Sequence, residues 1–101
     1  MRVIVFFDLP TDSNEDKRNY RNFRSMLMKN GFIMMQQSVY CRMLITPSAE
    51  SAIIEVIRRN KPPKGLVQIL TITEKQFSKM EFIVGESQND VISSDERLIV
   101  L

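Results

Sequence analysis

Asp8 closes the run Arg2-Val3-Ile4-Val5-Phe6-Phe7-Asp8, whose interior is wholly apolar. A carboxylate at the end of such a run is costly unless it is paired or bound to a cation. The chain has no histidine and a single cysteine, Cys41, which removes the usual general base, the Ser–His and Cys–His pairs and most zinc sites. Chemistry here must run on carboxylates, lysine, tyrosine or a hard metal ion. Magnesium takes one or two carboxylates together with waters and phosphate oxygens. Two copies of Asp8 meeting near a two-fold axis could therefore share one Mg2+. Such an ion acidifies a bound water and neutralises phosphate charge, permitting phosphodiester cleavage without histidine. Asp12 is a weaker second ligand because it sits in a turn, and no Asp-x-Asp pair lies nearby. The competing reading makes Asp8 a hydrogen-bond acceptor for the Thr11–Ser13 turn, with no chemistry at all.

Cations form two groups. Lys17, Arg21 and Arg24 recur at i, i+4, i+7, with Arg18 beside them, so they share a helical stripe. Arg42, Arg58, Arg59, Lys61 and Lys64 form a second set around the second helix and its exit loop. Both suit contact with phosphates along a nucleic-acid backbone and neither suits reading bases. The alternative for the first stripe is a solvated helix face with Glu15 and Asp16 as local partners. Net charge is only +2, but residues 1–64 carry eleven basic and six acidic groups, whereas residues 65–101 carry three basic and six acidic. That asymmetry suggests one surface for a polyanion and another for a different contact.

The elements that position these groups are legible from pattern. The chain has 101 residues, 44% hydrophobic and 26% charged, the profile of one soluble globular domain. No apolar run approaches the roughly 18 residues of a membrane helix, and residue 2 opens a strand where a secretory signal would lie. With Cys41 alone, a reducing, cytoplasmic setting is expected and the thiol reads as a small buried side chain. Residues 2–9 form a central strand. Ser13 and Asp16 form a capping arrangement for a helix that ends at Asn30-Gly31 and buries Tyr20, Phe23 and Leu27. Phe32–Gln37 and Val39–Ile45 are strands about a polar joint. Thr46-Pro47 starts a second helix, whose face carries Ala49, Ala52, Ile53, Val56 and Ile57. It stops near Asn60, before the Lys61–Gly65 loop, and Leu66–Thr73 is a fourth strand. Glu74–Lys79 reads as a helical turn and Met80–Val84 as a short extended piece. The methionines, seven in all, read as core filler.

The order β-α-β-β-α-β is that of an α+β, ferredoxin-like domain with an antiparallel sheet. Right-handed crossovers put both helices on one face. The first strand is nevertheless apolar on both faces, and leaving several large side chains wet costs about 1.5–3 kcal/mol each. A second copy is the economical cover, so a homodimer through the sheet face is expected. The chain divides into a core, residues 1–79, and a C-terminal extension, residues 80–101. The extension ends in Leu98-Ile99-Val100-Leu101, a strand suited to completing its own sheet or adding to a partner's edge.

The run Val3–Phe7 with Asp8-Leu9-Pro10, the basic first helix, Gly31-Phe32 and Gln37-Ser38-Val39-Tyr40 together resemble the small CRISPR-associated adaptation proteins. That family partners the CRISPR integrase and is often labelled an endoribonuclease. Thr73-Glu74-Lys75-Gln76-Phe77 and the Gly31–Tyr40 stretch resemble the branch found with single-protein (type II) effectors. The resemblance implies a homodimer that binds a short double-stranded DNA and bridges two integrase dimers as scaffold and length gauge in spacer acquisition. It implies that the C-terminal part helps to hold the integrase. It also matches Asp8 to the family's metal-binding, catalytic aspartate and Ser38 to its serine, whereas Phe7 stands where many members carry tyrosine. The alternative activity is a Mg2+-dependent endonuclease using Asp8 from both subunits, with single-stranded RNA as a further substrate. A module sensing a small ligand has little support, since only three glycines occur and none lies in a glycine-rich loop.

Overall fold

The computed structural model describes residues 1–86. Within them run β1 (Arg2–Asp8), α1 (Asn14–Lys29), β2 (Ile33–Gln36), β3 (Val39–Met43), α2 (Pro47–Arg59), β4 (Leu66–Ile72) and the short α3 (Glu74–Ser78). The four strands pair antiparallel in the order β2-β3-β1-β4. This is the expected ferredoxin-like α+β arrangement, with β1 central and β4 an edge. No described helix is long and apolar enough to cross a membrane.

Local chemistry sets the boundaries. Ser13 caps α1, its hydroxyl accepting the Asp16 N–H at 3.0 Å while its own N–H donates to Asp16 Oδ2 at 3.3 Å. Thr46 caps α2 by accepting the Ala49 N–H at 3.2 Å, with Pro47 in the first turn. β3 ends at Met43, short of Ile45. Leu44 still exchanges bonds with Met1, at 2.8 and 2.9 Å, but Ile45 is 89% exposed, because the chain is already turning into the cap.

Strand alternation divides β1 between two cores. Val3, Val5 and Phe7 are buried against Phe23 and Leu27 of α1 and Ile53 and Ile57 of α2. Phe7 sits at the centre, its ring 5.2 Å from Phe23 and 5.7 Å from both Tyr20 and Tyr40, centroid to centroid. In α2, Ile54 joins this packing and Ala52 is exposed, so the buried face is rotated slightly from the predicted one.

On the opposite face the chain covers part of its own sheet. Phe77 of α3 packs with Ile4 and Cys41. Arg2 pins α3 there: Nε and Nη2 donate to the Glu74 carboxylate at 3.1 and 2.7 Å, and the guanidinium lies 4.2 Å from the Phe77 ring centre. A second copy is therefore not needed over Ile4 and Cys41. Leu66, Leu70 and Met43 on that face remain at least half exposed. Burial pushes the Cys41 thiol up by more than the neighbouring Arg2 charge draws it down.

The extended piece expected at Met80–Val84 does not form. Residues 80–86 include bends and no strand, since they reach no free strand edge, and Ile83 and Val84 stand exposed. The expected strand Leu98–Leu101 lies outside the described residues.

Candidate nucleic-acid interface and carboxylate tip

Asp8 shares a face with Arg2, Ile4 and Phe6 and lies opposite Leu66 in the β1–β4 ladder. Two loops frame it. Gly65, at φ +102°, presses so close that a Cβ there would stand 2.9 Å from the Asp8 carbonyl oxygen and 2.7 Å from Leu9 Cδ2. Only glycine lets the loop close on the strand end. On the other side Ser38 turns the β2–β3 hairpin at φ +65°, a left-handed conformation that costs a non-glycine residue. Its carbonyl accepts the Phe7 N–H at 3.0 Å, and its hydroxyl lies 3.5 Å from Tyr20 Oη.

The Asp8 side chain itself is exposed. Among the described residues no donor or cation pairs with it, and the Ser13 N–H that could have done so goes to Asp16. The turn-acceptor reading is thereby set aside. Nor does one chain build a metal cage: among the described residues no three His, Cys, Asp or Glu side chains cluster. What Asp8 offers is one rigidly placed, unpaired carboxylate, a fitting single ligand for a hard cation whose other ligands come from elsewhere.

Lys17, Arg18, Arg21 and Arg24 all lie exposed on α1. Arg24 alone of these is anchored, its Nε donating to the buried Tyr40 hydroxyl at 2.9 Å. Members of the second basic group are held by different partners. Arg42 donates from Nη1 to the Asn30 carbonyl at 2.7 Å, capping the C-terminus of α1, and it pairs with Val3 at the opposite end of β1 from Asp8. Arg58 meets Glu55 at 3.5 Å on the surface, while Arg59 and Lys61 are exposed. Arg58 and Lys61 flank an open groove of about 550 Å³ between α2 and β4, floored by Ile54, Ile57, Val67 and Ile69.

Lys64 reaches back to Asp16 Oδ1 at 3.2 Å, tying the β4 entry loop to the start of α1. Desolvation favours the protonated Asp16 carboxyl, but the Lys64 ammonium and the Ser13 bonds outweigh it and leave the group below its ordinary value. No local sequence pattern marks the Arg42 cap or the Tyr40–Arg24 contact, and the Arg2 clamp joins residues 72 positions apart. A charge opening an apolar strand was the one sequence sign that Arg2 needed a partner.

Fold and site together define a class: a small ferredoxin-like protein with an aspartate at the end of its central strand and a basic helix beside it. The model for the family "CRISPR associated protein Cas2" matches residues 1–80. A Treponema denticola protein named "CRISPR-associated endoribonuclease Cas2" is 52% identical over the full length of both chains. One of the same name from Streptococcus mutans is 46% identical, over all of this chain and 93% of its own. The chain belongs to the Cas2 family, as the motif resemblance implied. A crystal structure of Streptococcus pyogenes Cas2 shares the fold, with TM-score 0.64 and 16% identity over 84% of this chain and all of that one.

Proposed function

We propose that the protein acts in the cytoplasm as a homodimeric scaffold in CRISPR adaptation, binding double-stranded prespacer DNA and bridging two integrase dimers as a length gauge. The observation that carries this reading is the α1 stripe. Lys17, Arg18, Arg21 and Arg24 are exposed on one helix, and none of them pairs with a carboxylate among the described residues. Such a surface follows phosphates without reading sequence, which suits capture of any invading duplex. Self-association is supported by Leu66, Leu70 and Met43, half exposed on the sheet face opposite α1 and α2. The extension from residue 80, with Leu98, Ile99, Val100 and Leu101, is assigned to the partner subunit or integrase. In support, β4 has a free edge among the described residues, open to an added strand.

Replacing Lys17, Arg21 and Arg24 with Glu should abolish binding of a short DNA duplex and spacer acquisition. Asp8→Ala should leave both intact. Acquisition lost in a well-folded Asp8→Ala protein would contradict the scaffold reading.

A second reading rests on the unpaired Asp8 carboxylate and on relatives named endoribonucleases. Here Asp8 from both subunits would hold Mg2+, which supplies charge neutralisation and an acidified water for phosphodiester hydrolysis. Under it the purified protein cuts RNA or DNA with Mg2+, stops with chelator, and is silenced by Asp8→Ala.

A further inference from the structure

The described cations with hydrogen-bond or ion-pair partners are held in chemically different ways. Lys64, Arg58 and Arg2 meet carboxylates, which cancel much of their charge, and Arg42 is committed to the carbonyl end of α1. Arg24 is anchored by a neutral group. Its Nε donates at 2.9 Å to the hydroxyl of Tyr40, a residue 2% exposed whose ring packs 5.7 Å from that of Phe7. The anchor is therefore as rigid as the core, and it leaves the positive charge uncancelled.

We propose that Tyr40 is a positioning residue for polyanion binding: it fixes the Arg24 guanidinium so that both terminal nitrogens face solvent as a preformed fork for a phosphate. This rests on the duplex-binding reading above and adds to it which cation is preorganised and by what. A guanidinium presents its donors in a plane, and with Nε engaged the edge formed by Nη1 and Nη2 stays free to grip two oxygens. An unanchored arginine loses its rotamer freedom only on binding, and that loss weakens the complex. Among the described residues Lys17, Arg18 and Arg21 have no comparable anchor. The sequence shows only Tyr40 in a strand and Arg24 on a helix, sixteen residues apart, so the pairing is a property of the fold.

The test is fluorescence anisotropy of a short mixed-sequence DNA duplex with the full-length protein, across a salt series. Four proteins are compared: the unaltered chain, Tyr40→Phe, Arg24→Ala and the double variant. Tyr40→Phe keeps the ring and removes only the acceptor. It is expected to bind about two- to tenfold more weakly, the ordering of one long side chain. Arg24→Ala should bind more weakly still, with a log–log salt slope shallower by about 0.9, one phosphate contact. The double variant should match Arg24→Ala, because Tyr40 acts only through Arg24. Unchanged binding by Tyr40→Phe overturns the proposal, as does an equal weakening when Tyr40→Phe is added to Arg24→Ala. If Tyr40→Phe does not fold, Arg24→Lys, which keeps the charge and gives up the fork, carries the test. Its expected result is a comparable weakening, and unchanged binding overturns the idea. Failure of the unaltered protein to bind the duplex overturns the duplex reading itself, a result distinct from all of these.

Discussion

On one side of the sheet Val3, Val5 and Phe7 disappear beneath two helices that supply Phe23, Leu27, Ile53 and Ile57. On the other, a single turn of helix and one arginine cover Ile4 and Cys41, while Leu66 and Leu70 stay half exposed. The same strand feeds both faces, so the difference lies in what the rest of the chain brings to each. The helical face is closed mainly by apolar area, with polar ties only at its margins. The opposite face is closed over Ile4 and Cys41 by a charge-assisted clamp and left open at Met43, Leu70 and, beside Asp8, Leu66. A self-sufficient core and an unfinished one are thus built back to back, and the unfinished one adjoins the group most able to do chemistry.

The sharpest way to break that contrast is to cut equal volumes from the two sides. Leu27 is fully buried on α1, and Leu27→Ala should cost about 2–5 kcal/mol by transfer and cavity terms together. Leu70→Ala on the open face should stay within about 0.5 kcal/mol for the isolated chain. Urea unfolding of both reads the difference, and similar losses would refute it. The clamp comes next. Arg2→Met removes the guanidinium but leaves Glu74, whose side chain is 40% exposed, able to turn to water. Loss of the charged hydrogen bonds, discounted for that screening, should be about 1–2 kcal/mol, with Cys41 becoming accessible to a thiol reagent in the native state.

The smallest effect concerns acid. The Asp16 carboxyl is held below its ordinary value of 3.8 in the fold. Its contribution is thus present above that value and is lost as pH falls through the lowered one. Stability measured from neutral pH downward should fall below about pH 4. Asp16→Asn keeps an acceptor for Ser13 and should flatten that acid limb. An unchanged limb would show that the Lys64 clasp contributes nothing.

Much of this was readable from residue order. Ser13 with Asp16, Thr46 with Pro47, and the uninterrupted apolar stretch of β1 act locally, and each marked its element within a residue or two. Asp8 could be singled out because a charge ending a central strand breaks the local pattern. What escaped notice depends on elements distant in sequence. Arg42 looked like one more member of a basic group until β3 placed it under the end of α1. Arg2 meets Glu74 across 72 positions. The Met80–Val84 piece departs from its pattern for a related reason: its residue types suit a strand, but a strand forms only where the segment reaches and pairs with another's edge.

The central claim is that the open face of the sheet meets its own image, bringing two Asp8 tips into one neighbourhood. Sedimentation equilibrium of the full-length protein over a micromolar range tests it most directly. The account predicts a dimer for the unaltered chain and a folded monomer for Leu70→Glu. A single-chain mass for the unaltered protein at every concentration, with or without a DNA duplex, would contradict it.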